Sequence, residues 1–384
     1  MRPLSDCAIH SYSHDLARPR RTLHESQASS RQVSKKIKKS NKSRKPKEKP
    51  FGPWPSLPSA VLLVYRPMGR RTNGRLGALL ALLCAAGTNA SANIAGGLQW
   101  FGFYSADLSV TAPYSNLFQA NSVADAQAAH TLGQTSLLLT FDTFFTTVPR
   151  RMILLPDWQA RWQALAAQVT PLLQSRVISG FNLGDELVWN CLDPSNLTVV
   201  ANAVRASFPT AILWYNEATP PLASNVDSCG HNNLNYSIPE ALDIISTDIY
   251  HMDGAATGWV VSHVKTFYET YIFPRLGASQ RVMLVPGSFG SDVNHYPNGT
   301  YVCDRHCYDQ MCALDADEFY AWAEQDARIV AIMPWNWAGC PTCNGSRWTP
   351  PNECCMDELG TDVQPLATAA WSAVGRKIVG KSRR

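Results

Sequence analysis

The chain has no run of about 20 consecutive apolar residues, the length a membrane-spanning helix needs; the apolar stretch Leu76–Ala86 falls well short of it. It has no Gly-rich phosphate loop after its first strand-like segment, which argues against a nucleotide-binding α/β fold. Ser288 follows Gly287 but lacks the Gly-x-Ser-x-Gly pattern of a nucleophile elbow, so serine-nucleophile chemistry has little support. His295 and His306 stand near acids at a spacing that matches no recognised metal site, and neither a metal nor an organic cofactor is implied. A Ser/Gly/Pro-rich linker is also missing beyond residue 93, so residues 93–384 read as one large domain.

Charge is unevenly distributed. Residues 1–67 carry 15 Lys/Arg against 4 Asp/Glu, a composition that cannot bury a core and predicts disorder. Residues 68–92 follow signal-peptide grammar: basic Met68–Arg75, apolar Leu76–Ala86, then the small residues Ala90-Ser91-Ala92. Three readings of this end stand open. Translation starts at Met68 and the basic extension is an over-extended start; or the extension is a nuclear-targeting or nucleic-acid tail; or the apolar run stays as a signal anchor, the one case in which a membrane is a partner. Residues 91–384 hold 16 Lys/Arg against 26 Asp/Glu, a balance of −10, so the folded part is acidic and nucleic acid is not its expected partner.

Nine cysteines follow the signal, at 191, 229, 303, 307, 312, 340, 343, 354 and 355, and Asn-X-Ser/Thr acceptors occur at Asn89, Asn196, Asn235, Asn298 and Asn344. Both features fit an exported, glycosylated protein with disulfides bracing two long loops at 303–312 and 340–355. The spacing Cys340-Pro-Thr-Cys343 also suits zinc, but export favours disulfides. Nine is odd, which leaves one thiol free or paired outside the chain, and the pairing stays open.

Short apolar segments alternate with helical ones. Strands are expected at 98–104, 136–142, 177–183, 211–217, 242–251, 281–286 and 329–337. An eighth is sought at Met152–Leu155 or between Ser105 and Asn121. Helices are expected at 122–133, from Pro156-Asp157 with Trp158, Trp162, Leu165, Val169 and Leu172 on one face, and at 196–208, 258–271 and 315–326. Alternating strands and helices predict a parallel sheet with helices outside, and this count predicts a (β/α)8 TIM-type barrel, an open doubly wound sheet being the alternative. In such a barrel the chemistry sits at the C-terminal ends of the strands. The run Val177–Gly184 ends in Asp185-Glu186, the next strand in Trp-Tyr-Asn216-Glu217, another in Asp248-Ile-Tyr250-His251, and the last in Trp335-Asn-Trp337.

This order of strand ends resembles the barrel glycoside hydrolase superfamily over roughly residues 98–374. The resemblance implies a carbohydrate substrate or ligand. In its large retaining clan an acid/base Glu follows the fourth strand, a nucleophile Glu lies at the seventh, and an aromatic at the eighth forms a sugar platform. Glu186 then matches the acid/base, Asp185 stands where an Asn is usual, and Trp335 or Trp337 matches the platform. The seventh position departs from the pattern: it reads Val285-Pro-Gly-Ser-Phe289, with no carboxylate before Asp292. Chitinase-type barrels are a second comparison, but their spaced aspartates are replaced here by Phe181-Asn-Leu-Gly184.

The expected function is therefore a secreted, glycoside-hydrolase-like protein that cleaves glycosidic bonds by carboxylate acid/base catalysis. The partner of Glu186 is sought at Glu217 or Asp248, one or two strands along, or at Asp142 across the mouth. Asp185 is also a catalytic candidate, but as a strand neighbour of Glu186 it is expected to point to the opposite side. Asp142, Asn216, Tyr250, Trp335 and Trp337 are candidate sugar-binding residues. Each has a structural alternative: Asp185-Glu186 as helix caps, Asn216-Glu217 as a turn, and Asp248 as a buried hydrogen-bond partner. The rival function is a non-catalytic glycan- or protein-binding barrel that has lost the seventh-strand nucleophile. It prevails if Glu217 and Asp248 both turn away from Glu186.

Overall fold

The computed structural model describes residues 92, 94–104, 106–149, 151–249, 261–290, 305–337, 357–358 and 364–382. The basic extension, nearly all of the expected signal, Tyr250, His295, and Cys303, Cys340, Cys343, Cys354 and Cys355 lie outside them, as do the side chains of His306 and Cys307.

Eight parallel strands form one sheet: β1 (Trp100–Phe101), β2 (Leu117–Ala120), β3 (Thr135–Leu139), β4 (Gly180–Asp185), β5 (Ile212–Ala218), β6 (Ile244–Ile249), β7 (Arg281–Pro286) and β8 (Ile329–Ile332). Consecutive strands are neighbours from β2 to β8, and β8 returns to β1. Asn116, just before β2, knits the remaining seam. Its N–H donates to the Phe101 carbonyl (2.9 Å), its Nδ2 donates to the Gln99 carbonyl (3.0 Å), and its Oδ1 accepts from the Phe101 N–H (2.8 Å). The result is a nearly closed TIM-type barrel.

All seven expected strands are present, and the eighth is β2, inside the 105–121 window. The alternative at 152–155 is not a barrel strand: Arg151–Leu154 pairs antiparallel with Phe145–Val148 as a hairpin beyond β3. Helices α1 (Val123–Thr131), α2 (Trp158–Gln174), α3 (Pro194–Ser207), α4 (Val261–Phe267), α5 (Arg305–Gln325) and α6 (Pro365–Ser382) surround the sheet. Two are set by local caps. Ser122 accepts from the Asp125 N–H at the start of α1, and Asp193 accepts from the Ser195 N–H with Pro194 in the first helical turn of α3. Helix α5 begins well before the expected 315. Cys312 therefore lies inside a helix and is fully buried, not in a bracing loop. Helix α6, which sequence analysis did not anticipate, packs against α5.

The core has two layers because strand side chains alternate. Leu117, Leu137, Ile212, Trp214, Ile244, Met283, Val285 and Ala331 fill the barrel interior. Phe118, Leu138, Phe181, Leu183, Leu213, Tyr215, Ile245, Val282 and Leu284 face outward into the helical shell, where α2 contributes Trp158, Trp162 and Val169. A disulfide joins Cys191, after β4, to Cys229, after β5, on the face where the strands end.

Candidate active site

Alternation on β5 and β6 sorts the candidate residues. Ile212 and Trp214 point into the barrel, and Asn216 follows on the same side; Ile244 sets the same parity for Ser246 and Asp248. Above an apolar floor, the interior therefore becomes polar toward the strand C-termini. Trp214 Nε1 donates to Ser246 Oγ (2.8 Å), and Ser246 Oγ donates to Asn216 Oδ1 (2.6 Å). With its carbonyl oxygen held, Asn216 aims its amide at two acids: Nδ2 donates to Asp185 Oδ1 at 2.6 Å and to Asp248 Oδ2 at 2.8 Å. Two oxygens bonded to one nitrogen lie on the order of 5 Å apart.

Asp185 reaches this position because β4 loses its regular register near its end. Asn182 pairs with Trp214 but Asp185 pairs with Asn216, so β4 carries one extra residue there. Gly184 occupies φ 144 and its N–H donates to Asn182 Oδ1. Such a φ is open to glycine and strained for other residues. Glu186 follows in left-handed backbone at φ 48, half-buried, its N–H donating to the Asn216 carbonyl. The neighbours Asp185 and Glu186 are thus placed by a bulge and a kink, not by strand alternation.

Asp185 is exposed at the rim, yet the protein packed around its carboxyl desolvates it and lifts its pKa above the ordinary aspartate value, against the pull of the Asn216 amide. Tyr104, just beyond β1, completes the cluster. Its hydroxyl is buried and finds no hydrogen-bond partner among the described residues. Burial first, and then the charges of Asp185, Asp248 and Glu186, hold that hydroxyl firmly protonated. Its ring meets Trp214 edge-on at 5.7 Å.

The remaining expected residues divide. Trp335 is half-buried and packs against the interior layer at the mouth. Trp337 does not share that face. It is buried in the outer core against Phe103 (4.8 Å) and Tyr114 (6.0 Å), because β8 ends at Ile332 and strand alternation does not extend to 335–337. Asp142 is exposed on the short helix Phe141–Phe144 after β3, and Tyr250 lies outside the described residues.

Glu217 is a strand residue, and it turns out of the barrel, opposite to Asn216. Fully buried, its carboxyl accepts from the N–H groups of Val188 (3.1 Å), Trp189 (3.2 Å) and Ala218 (2.8 Å), and from the Tyr215 hydroxyl. Burial pushes it up to about 8 despite those donors.

Tyr104 and Ser246 are not among the residues the sequence pattern singles out. Ser246 had a usable signal, since it stands two residues from Asp248 on a period-2 strand. Tyr104 had only its place at a strand end. A cavity of about 690 Å³ lies away from these acids, lined by Arg205, Tyr236, Glu240, Arg275 and Gln280 on the side where β7 begins. The potential metal ligands Cys191, Asp227 and Cys229 lie within 4.8 Å of one another, but both sulfurs are committed to their disulfide.

Fold and site together define a TIM-type barrel whose mouth holds an amide-bridged pair of carboxyls. No family model matches the chain, and no curated protein matches its sequence. Among solved structures it is similar to fungal beta-1,4-galactanases (TM-score 0.48, 12% identity, covering 73% of this chain and 99% of theirs). It is also similar to a xylanase from Cellvibrio japonicus (TM-score 0.44, 13% identity, 72% and 98%). A GH2 beta-galacturonidase from Eisenbergiella tayi gives TM-score 0.44 at 10% identity over 70% of this chain, which spans only 46% of that enzyme.

Proposed function

We propose that this chain is a secreted glycosidase-like enzyme that cleaves O-glycosidic bonds with the carboxyls at its barrel mouth. The observation that carries the reading is the Asn216 amide shared between Asp185 and Asp248. Carboxyls about 5 Å apart are spaced for retaining hydrolysis, in which one group protonates the leaving oxygen while the other attacks the anomeric carbon. Asp185, whose carboxyl is lifted by desolvation, is the proton donor. Asp248 forms the glycosyl ester; water then breaks it, giving its proton to Asp185. Trp335 offers a ring face to the sugar, and Glu186 contacts it from the rim. Export through a signal beginning at Met68 accords with the Cys191–Cys229 disulfide, a bond that persists in oxidising compartments; N-terminal sequencing of the mature protein tests it.

Hydrolysis by residues 91–384 across a polysaccharide and aryl-glycoside panel tests the enzyme reading. Asp185→Asn and Asp248→Asn should each lower kcat/KM by about 100- to 10,000-fold, and Glu186→Gln by less. The reverse ranking would return the acid role to Glu186. One observation favours a second reading, a glycan-binding barrel without catalysis. Strand β7 ends at Pro286 and is followed by Gly287 and a buried Ser288, so the described segment 281–290 itself supplies no carboxylate at the seventh position. Glycan binding without hydrolysis by the unaltered chain would select it.

A further inference from the structure

We propose that Tyr215 and Glu217 act as a positioning clamp: from outside the barrel wall they grip the backbone turn Leu187–Trp189 and thereby fix Asp185 and Glu186 in the mouth. The inference rests on the proposed role of Asp185, but its geometry is independent of that role. The turn leaves β4 immediately after the kink at Glu186 and pairs with no strand. Its amides are nevertheless satisfied, and β5 satisfies them. The Tyr215 hydroxyl accepts from the Leu187 N–H (3.0 Å) and more weakly from the Val188 N–H (3.4 Å). The Glu217 carboxyl accepts from Val188 and Trp189, and Tyr215 O–H donates to it.

Leu187, Val188, Tyr215 and Glu217 are all fully buried, so losing an acceptor here strands amides where no water can replace it. One strand thus holds the neighbouring turn through its outward side chains, while its inward Asn216 holds the carboxyl of Asp185 and its Asn216 carbonyl holds the Glu186 N–H. The segment before β6 supplies the other ionisable neighbour of Glu217, the buried hydroxyl of Tyr236, with Arg275 beyond it; among the described residues no cation forms an ion pair with Glu217.

Two variants preserve shape: Glu217→Gln replaces one of the two acceptor oxygens by a donor, and Tyr215→Phe removes the hydroxyl. Glu217→Gln should speed exchange of the Val188 and Trp189 amide protons about tenfold, and Tyr215→Phe that of Leu187 and, less, of Val188, with the amides of β7 and β8 unchanged. The Asp185 carboxyl, followed by carbon NMR, should titrate closer to an ordinary aspartate as the mouth loosens. On a hydrolysed glycoside, kcat should fall on the order of 100-fold with KM nearly constant, because misplacement by about 1 Å is that costly. Unchanged exchange at the amides each side chain holds, or faster exchange with an unmoved Asp185 titration, overturns the clamp. If the unaltered protein hydrolyses nothing, the enzyme reading fails, while the exchange and titration measurements still decide the clamp.

Discussion

Asn216 and Glu217 are adjacent in sequence and serve opposite sides of one barrel wall. Asn216 orients two carboxyls toward the mouth, whereas Glu217 is sealed among backbone amides. Burial raises Glu217 from 4.5 to about 8, so between those values the folded chain holds a proton that the unfolded chain has released. That contribution to stability is complete below about pH 4.5 and is lost as pH rises through about 8. Asp315, also pushed up to about 8 by burial, acts with the same sign. Urea unfolding across this range should show stability falling with pH, each group contributing at most about 1.4 kcal/mol per pH unit. Glu217→Gln should flatten the slope without abolishing it; an unchanged slope would show that Glu217 titrates normally. The sequence displayed Glu217 as a strand-end acid. Period-2 counting from Trp214 was enough to turn it outward, whereas the Asp185–Glu186 geometry depends on a bulge that no periodicity announces.

At the level of elements, the strands and helices that build the wall were legible because each carries an uninterrupted apolar pattern. Strand β2 is faint in the sequence because Leu117–Ala120 has only four residues, and Trp337 departs from the mouth because its strand ends early, at Ile332. Helix α6 contains a contrast that tests how tightly it is seated. A methyl group on Gly375 would come within 2.0 Å of the Tyr114 carbonyl and 2.7 Å of the Phe101 ring, whereas one on Gly380 meets nothing within 4 Å. Replacing glycine by alanine inside a helix ordinarily gains roughly 0.5–1 kcal/mol. Gly380→Ala should show that gain, and Gly375→Ala should instead lose about 1–3 kcal/mol from overpacking. Denaturant midpoints of the two variants measure it; equal gains would mean that α6 stands off the barrel.

For the molecule as a whole, the eight-stranded barrel was predictable from strand count and alternation, while the partner of each cysteine was not. Cys191 and Cys229 are 38 residues apart in sequence and tie the segments after β4 and β5. Closing a loop of that size stabilises by about 2–4 kcal/mol through the unfolded chain. The double variant Cys191→Ser/Cys229→Ser should lose that much in urea unfolding, and no loss would mean the bond is not formed in solution.

In the proposed reaction the Asn216 amide joins Asp185 and Asp248 into one acid–nucleophile pair, which the pH dependence of glycoside hydrolysis tests most directly when measured for the unaltered chain and for Asn216→Ala. Removing the amide takes away the hydrogen bond that lowers the Asp185 pKa, so the alkaline limb of the profile should move to higher pH while kcat falls by about 100-fold or more. A profile whose alkaline limb stays in place, with kcat unchanged, would leave Asp185 without its proposed role.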